Sequence, residues 1–234
     1  MEKRGGKMSG KVKVVITDSS FPSDKPEREV LEKVGAEVYR YNYFTEDEII
    51  EVAKDAVGLL VQLAPITRRV IENLEKVKVI SRYGIGVDNI DLAAATEKGI
   101  MVANIVYDTE DVADHTVTLL LSIYRKITRI DRDTKAGIWD WKRYIPIYRL
   151  KDSVIGIVGL GRIGRMVAKR LKAFGAHIIG FDPYLPDDVF REEGVERVSL
   201  EELLRRSDIV TLHVPLTKET HHLIGEEEFK MMKD

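Results

Sequence analysis

Cysteine is absent from the 234-residue chain, which excludes disulfide scaffolds, thiol nucleophiles and cysteine-ligated zinc or iron–sulfur sites. A surplus of either charge is lacking too. Against 39 Asp and Glu stand 37 Lys and Arg, for a formal net charge of -2. Nucleic acid recognition needs a strongly basic face, so no nucleic acid partner is expected. No apolar run reaches the roughly 18 residues of a membrane span. The basic opening MEKRGGKMSG has no apolar stretch behind it that would make a signal peptide. The expectation is a globular, cytoplasmic protein with no membrane partner. Apolar residues are plentiful: 44% of the chain is hydrophobic, enough for one large core or two modest ones.

Short β-rich runs alternate with amphipathic helical runs. Val12 to Thr17 reads as a strand, Glu27 to Val34 as a helix stopped by Gly35, and Glu37 to Tyr41 as a strand. Thr45 and Glu48 form a capping box, since each can satisfy an orphan helical amide. Val57 to Gln62 follows as a strand, Thr67 to Leu74 as a helix and Val77 to Ser81 as a strand. Asp91 caps a helix ending at Gly99, and Ile100 to Ala103 closes the series. Strands alternating with helices of this length imply parallel βαβ units and an α/β fold.

From Asp108 to Arg129 the pattern predicts one long helix, with acids in its first turn and bases in its last, matching the macrodipole. Between Val112 and Tyr124 its apolar residues cover several faces, so it is expected to be buried on more than one side. Two covers are open: the other domain of the same chain, or the same helix of a second copy in a homodimer. The domain boundary is placed near Asn104, and a second α/β series begins at Ser153.

Val154 to Val158 reads as a strand that runs into Gly159-Leu-Gly161-Arg-Ile-Gly164 and then into a helix ended by Gly175. This is G-x-G-x-x-G in its proper context. The first glycine permits a tight turn, the second lets a pyrophosphate approach the backbone, and the third lets helix and strand pack closely. The amides of Arg162 and Ile163 at the helix start would meet the phosphates. About 20 residues on, where a carboxylate for the adenosine ribose is expected, the strand His177 to Phe181 ends in Asp182. Its charge would repel a 2′-phosphate, and Pro183 and Tyr184 supply no arginine to reverse that, so NAD is the expected cofactor. Ser199 and Glu202 form a second capping box, and Asp208 to His213 is the next strand. Val214 and Pro215 beyond it could wall an adenine, although any strand-to-loop junction reads alike.

Arg82-Tyr-Gly-Ile-Gly-Val-Asp-Asn89, Val112-Ala-Asp-His115, Gly159-Leu-Gly-Arg-Ile-Gly164, Asp182-Pro-Tyr184 and His213-Val-Pro-Leu-Thr217 resemble, in order and spacing, the D-isomer-specific 2-hydroxyacid dehydrogenases. Resemblance runs from about Val12 to the end of the chain. Val61-Gln-Leu-Ala-Pro-Ile-Thr67 and the Trp139-Asp-Trp141 loop look most like the branch related to the C-terminal-binding-protein corepressors. Gln62 stands where phosphoglycerate-type members commonly show an arginine, which disfavours a phosphorylated substrate.

The resemblance implies two parallel-sheet domains, a flavodoxin-like substrate domain over 1–103 and an incomplete Rossmann NAD-binding domain over 104–234, with the active site in the cleft between them. It implies hydride transfer between NAD and C2 of a small 2-oxo or 2-hydroxy acid. Tyr83, Gly84, Ile85 and Gly86 would offer backbone amides to the substrate carboxylate, as consecutive amides of a glycine-rich turn can, with Ile85 also near the nicotinamide. Gly159, Gly161, Arg162, Ile163 and Gly164 would hold the pyrophosphate, Asp182 the ribose, and His213, Val214, Pro215 and Thr220 the adenosine side.

The family's arginine, histidine and orienting carboxylate are expected beyond Asp234, so no catalytic residue is assigned. His115 lies on the long helix, His177 begins a strand, His221 and His222 sit in a connecting segment, and no metal ligand set is assigned. Of the six strands of a dinucleotide domain, the chain supplies the first half and the fourth, leaving an open edge. The expected reading is part of a longer dehydrogenase, inactive by itself. The competing readings are an NAD(H)-sensing, corepressor-like binding protein without turnover and an unrelated Rossmann regulatory domain.

Overall fold

In the computed structural model residues 12–105 and 108–233 are described, and the chain divides into two units between Tyr107 and Asp108. The first unit runs β1 (Val12–Ile16), α1 (Lys25–Leu31), β2 (Ala36–Arg40), α2 (Glu46–Ala53), β3 (Gly58–Val61), α3 (Arg68–Asn73), β4 (Val79–Arg82), α4 (Leu92–Glu97) and β5 (Met101–Ala103). All its strands pair in parallel, in the order β2-β1-β3-β4-β5, which is the flavodoxin-like arrangement. Gly58, Leu59 and Val61 of β3 are buried, as in a sheet covered by helices on both faces. Val15, Ile49, Ile71 and Ile80 fill the space beneath, each such side chain contributing about 1.5–3 kcal/mol on burial.

Local chemistry sets the helix ends. Thr45 and Glu48 form the expected reciprocal box at α2, and the Asp91 carboxylate accepts the Ala94 amide at 2.8 Å to start α4. Each such cap is worth about 1 kcal/mol. The helix expected from Glu27 starts earlier, at Lys25, because Pro26 fits its first turn. It tightens to a 3-10 turn over Glu32–Val34 and ends at Gly35, whose φ of 82° is left-handed. Asp18, buried just beyond β1, accepts the amides of Gln62 at 3.0 Å and Leu63 at 2.6 Å. It thereby fixes the loop after β3.

The second unit runs α5 (Glu110–Tyr124), α6 (Ile127–Lys135), β6 (Val154–Val158), α7 (Arg162–Ala173), β7 (His177–Phe181), α8 (Asp187–Glu192), β8 (Glu196–Arg197), α9 (Leu200–Arg206), β9 (Ile209–Leu212) and α10 (Glu226–Met231). Its strands are also parallel, in the order β8-β7-β6-β9. Ile155, Ile157, Val167, Leu171 and Phe190 centre its core. Neither α8 nor the two-residue β8 is foreseen in the sequence, being too short to show a period. The second capping box is half formed: Ser199 Oγ accepts the Glu202 amide at 3.2 Å, while the Glu202 carboxylate pairs with Arg206 at 2.6 Å.

The long helix expected from Asp108 to Arg129 is in fact two. Lys126 takes a left-handed φ of 57° between α5 and α6. Its ammonium donates to the carbonyls of Tyr144 at 2.9 Å and Pro146 at 2.8 Å, which holds the reversal in place. Within this single chain one stripe of α5 is covered. Ala113, Val117 and Leu120 of α5 are buried, whereas Leu119 and Ile123 remain 50% and 74% exposed. No helix among the described residues is long and apolar enough to cross a membrane.

Candidate functional site

At the carboxyl end of β6 the three glycines of the loop have three different reasons to be glycine. Gly159 turns the chain with a φ of 89°, its amide donating to the Phe181 carbonyl at 2.8 Å. A Cβ on Gly164 would collide with the carbonyl oxygen of Gly159, so this residue sets how closely α7 lies on β6. Gly161 is the opposite case: a Cβ there would meet nothing within 4 Å. Open space thus lies over the start of α7. The amides of Arg162 and Ile163 donate to no described residue, as first-turn amides do when an external acceptor is to satisfy them.

Asp182 stands at the end of β7, next to β6 in the sheet. One carboxylate oxygen accepts the Leu160 amide at 3.0 Å and the other accepts the Tyr184 amide at 3.0 Å. Two amide donors fix the plane of the carboxylate, and each oxygen keeps a lone pair for a further donor. On the other side of β6, the loop after β9 is anchored by the His213 amide donating to the Val158 carbonyl at 2.7 Å. The His213 ring lies 3.0 Å from the Thr211 hydroxyl. Burial pushes its pKa below the usual histidine value, which keeps the ring neutral at pH 7.

Between these loops lies a cavity of about 440 Å³. Gly159, Gly161, Asp182, His213, Val214, Pro215 and Thr220, all singled out in the sequence, line it. Arg162, Ile163 and Gly164 do not line it but form the adjoining first turn of α7. Phe181, Tyr184, Thr217, Glu219 and Leu223 line it without having been singled out as site residues. Tyr184 and Glu219 are joined, the tyrosine hydroxyl donating to the carboxylate, and this bond raises the Tyr184 pKa. The Thr220 hydroxyl accepts the Thr217 amide at 2.8 Å and donates to the Pro215 carbonyl. It shapes its own loop rather than standing free for a ligand.

The remaining predicted residues belong to the first unit, in the loop after β4. Tyr83 departs from its expected role, because its amide is committed to the Val61 carbonyl at 2.8 Å as a continuation of the sheet. Its hydroxyl donates to Glu27 at 2.8 Å, and burial together with that bond raises its pKa. The amides of Gly84, Ile85 and Gly86 donate to no described residue, while their carbonyls are taken by the Ile105 amide, the Asn104 side chain and Arg82. A Cβ on Gly84 would strike the Arg82 guanidinium, and one on Gly86 would meet the Asp88 carboxylate at 2.9 Å. Carbonyls turned inward, amides left free and a guanidinium alongside suit a small carboxylate.

Elsewhere, His115 is exposed on α5 rather than buried. His177 pairs with Glu196 at 2.7 Å, and His221 stacks on His222 with ring centroids 3.8 Å apart. The Gln62 side chain donates to the Ser20 hydroxyl at 2.8 Å and accepts the Ser20 amide at 2.6 Å.

Comparison with known proteins adds the following. Residues 117–234 match the family model described as "D-isomer specific 2-hydroxyacid dehydrogenase, NAD binding domain". The chain is 47% identical over 225 residues to the D-3-phosphoglycerate dehydrogenase of Methanocaldococcus jannaschii, covering 95% of this chain and 42% of that protein. It is 43% identical over 190 residues to the glyoxylate reductase of Korarchaeum cryptofilum, covering 79% of this chain and 57% of that one. Among solved structures, D-lactate dehydrogenase from Aquifex aeolicus, complexed with NAD and lactic acid, superposes with a TM-score of 0.83 at 32% identity, covering 95% of this chain and 66% of that one. The chain thus spans about half the length of the curated relatives it matches.

Proposed function

Because the chain belongs to the D-isomer specific 2-hydroxyacid dehydrogenase family, we propose that it holds the cofactor and the substrate carboxylate for an NAD-dependent oxidoreductase acting on the CH-OH group of a 2-hydroxy acid, or on the 2-oxo acid in reverse. The first unit is the substrate unit and the second the nucleotide unit. One observation carries the reading: the glycine loop and the carboxylate of Asp182, fixed by the amides of Leu160 and Tyr184, line one cavity of about 440 Å³.

The free first-turn amides of Arg162 and Ile163 would hold the pyrophosphate, with Gly161 leaving room for it and Gly159 and Gly164 setting the turn and the packing. Asp182 would accept the adenosine ribose hydroxyls. Val214 and Pro215 would wall the adenine beside a neutral His213, and Thr220 would keep their loop in shape. Bound NADH would supply the hydride that reduces C2 of the 2-oxo acid. The chain's own contribution on the substrate side is orientation: Gly84, Ile85 and Gly86 offer amides to the carboxylate. Neutral, half-buried His213, hydrogen-bonded to Thr211, is not poised to move the hydroxyl proton.

A second copy of the chain is the proposed partner. Leu119 and Ile123 of α5 stay exposed beside buried Val117 and Leu120, and an isologous contact would cover them without forming filaments.

Titration with NADH and NADPH tests the reading. The protein should prefer NADH, and Asp182→Ala should weaken NADH binding by about 1.5–3 kcal/mol, the worth of a hydrogen bond to a charged group. Equal affinity for both cofactors in the unaltered protein would refute it.

A further inference from the structure

Two carboxylates line the cavity beside the glycine loop. Asp182 follows β7 and Glu219 lies in the loop after β9, and both line the cavity. Tyr184 connects them. Its amide donates to Asp182 at 3.0 Å, and its hydroxyl donates to Glu219. Tyr184 is 75% exposed, which puts this bridge at the mouth. No lysine or arginine is among the lining residues, and His213 is held neutral by burial. Lys218, next to Glu219 in sequence, does not line the cavity.

We propose that Glu219, held in place by Tyr184, is a specificity-determining residue for this cavity: its carboxylate acts with that of Asp182 to reject a nucleotide carrying a phosphate on the adenosine ribose. The inference rests on the nucleotide reading of the cavity. It differs from the expectation that Asp182 alone selects the cofactor. A 2′-phosphate would bring nearly two negative charges to a mouth that already carries two and offers no cation. Ribose hydroxyls, by contrast, can donate to either carboxylate. Tyr184 keeps the Glu219 side chain against the mouth instead of free in solvent.

Fluorescence titration of the whole chain with NADH and with NADPH tests this. Glu219→Gln keeps an acceptor for Tyr184 and removes only the charge. It should lower the preference for NADH about three- to tenfold, the scale expected of one partly screened charge facing a phosphate, mainly by tightening NADPH. Tyr184→Phe frees Glu219 and should lower the preference in the same direction. An unchanged ratio in Glu219→Gln would overturn the proposal, as would an equal weakening of both cofactors, the mark of a bridge that merely stiffens two loops. A ratio lowered in Glu219→Gln but untouched in Tyr184→Phe would overturn the part given to Tyr184. Failure of the underlying reading looks different: the unaltered chain would not bind NADH, or Asp182→Ala would bind it as well as the unaltered chain, and the role of Glu219 would fall with it.

Discussion

Replacing Gly164 by alanine probes the packing that the glycine loop imposes. The added methyl would overlap the carbonyl oxygen of Gly159 and come within 3.4 Å of Ile157 Cγ2. The obstructing oxygen belongs to the backbone of the loop itself, so no rotamer change relieves it. Either α7 moves off β6, or the turn at Gly159 deforms. Moving α7 disturbs Ile157, Val167, Ala168 and Leu171, all fully buried. Overpacking of this kind costs about 1–3 kcal/mol, while the gain in helix propensity from Gly to Ala returns about 1 kcal/mol at most. Overlap with a backbone oxygen puts the cost in the upper part of that range, so the net loss is about 1–2 kcal/mol, or a fall of roughly 3–10 °C in the melting temperature of a unit this size. Calorimetry would read it as a shift in the transition that NADH raises, and NADH affinity should fall with it because the loop is displaced. An unchanged transition together with unchanged NADH affinity would refute the close-packing argument.

The other expected outcomes concern charge, assembly and chemistry. Arg206 first, then His177, hold the Glu196 carboxyl at about 2 against an ordinary 4.5. A depressed folded-state value gives stability that is present above pH 4.5 and lost as pH falls toward 2. The advantage of the unaltered protein over Glu196→Gln in urea midpoint should therefore be present at about pH 6 and shrink below about pH 4, and an advantage that grows on acidification would contradict this. Ile123→Glu alters an exposed side chain, so it should convert a dimer to a monomer in light scattering with little change in melting temperature. A monomeric mass for the unaltered protein at micromolar concentration would reject the dimer. A polypeptide of these 234 residues should bind NADH yet reduce glyoxylate no faster than its Gly161→Val variant, because no described residue of either site is a positioned proton donor. Turnover above that control would implicate His115 or His213.

How far the sequence speaks depends on the range of the interactions. The glycine loop is legible because turn, open approach and close packing each constrain one residue within six positions of chain, and Asp182 follows at a spacing set by one helix and one strand. Parallel order in both sheets follows from the strand–helix alternation. The break at Lys126 is not legible. Left-handed backbone there carries no glycine, and what holds it are carbonyls of Tyr144 and Pro146, 18 and 20 residues away. Tyr83 looked like a free amide because the bond that occupies it comes from Val61 on the neighbouring strand. The link from Tyr184 to Glu219 spans 35 residues, beyond any local pattern, although both follow strands whose carboxyl ends flank the loop.

Gly161→Val tests the central claim most directly. A Cβ at this position meets nothing among the described residues within 4 Å, so the fold and its melting temperature should be preserved while the space reserved for a pyrophosphate is filled. NADH titration of the variant should show binding weakened at least a hundredfold, a loss of about 2.7 kcal/mol or more. Undiminished NADH affinity in a folded Gly161→Val protein would contradict the placement of the nucleotide on this loop.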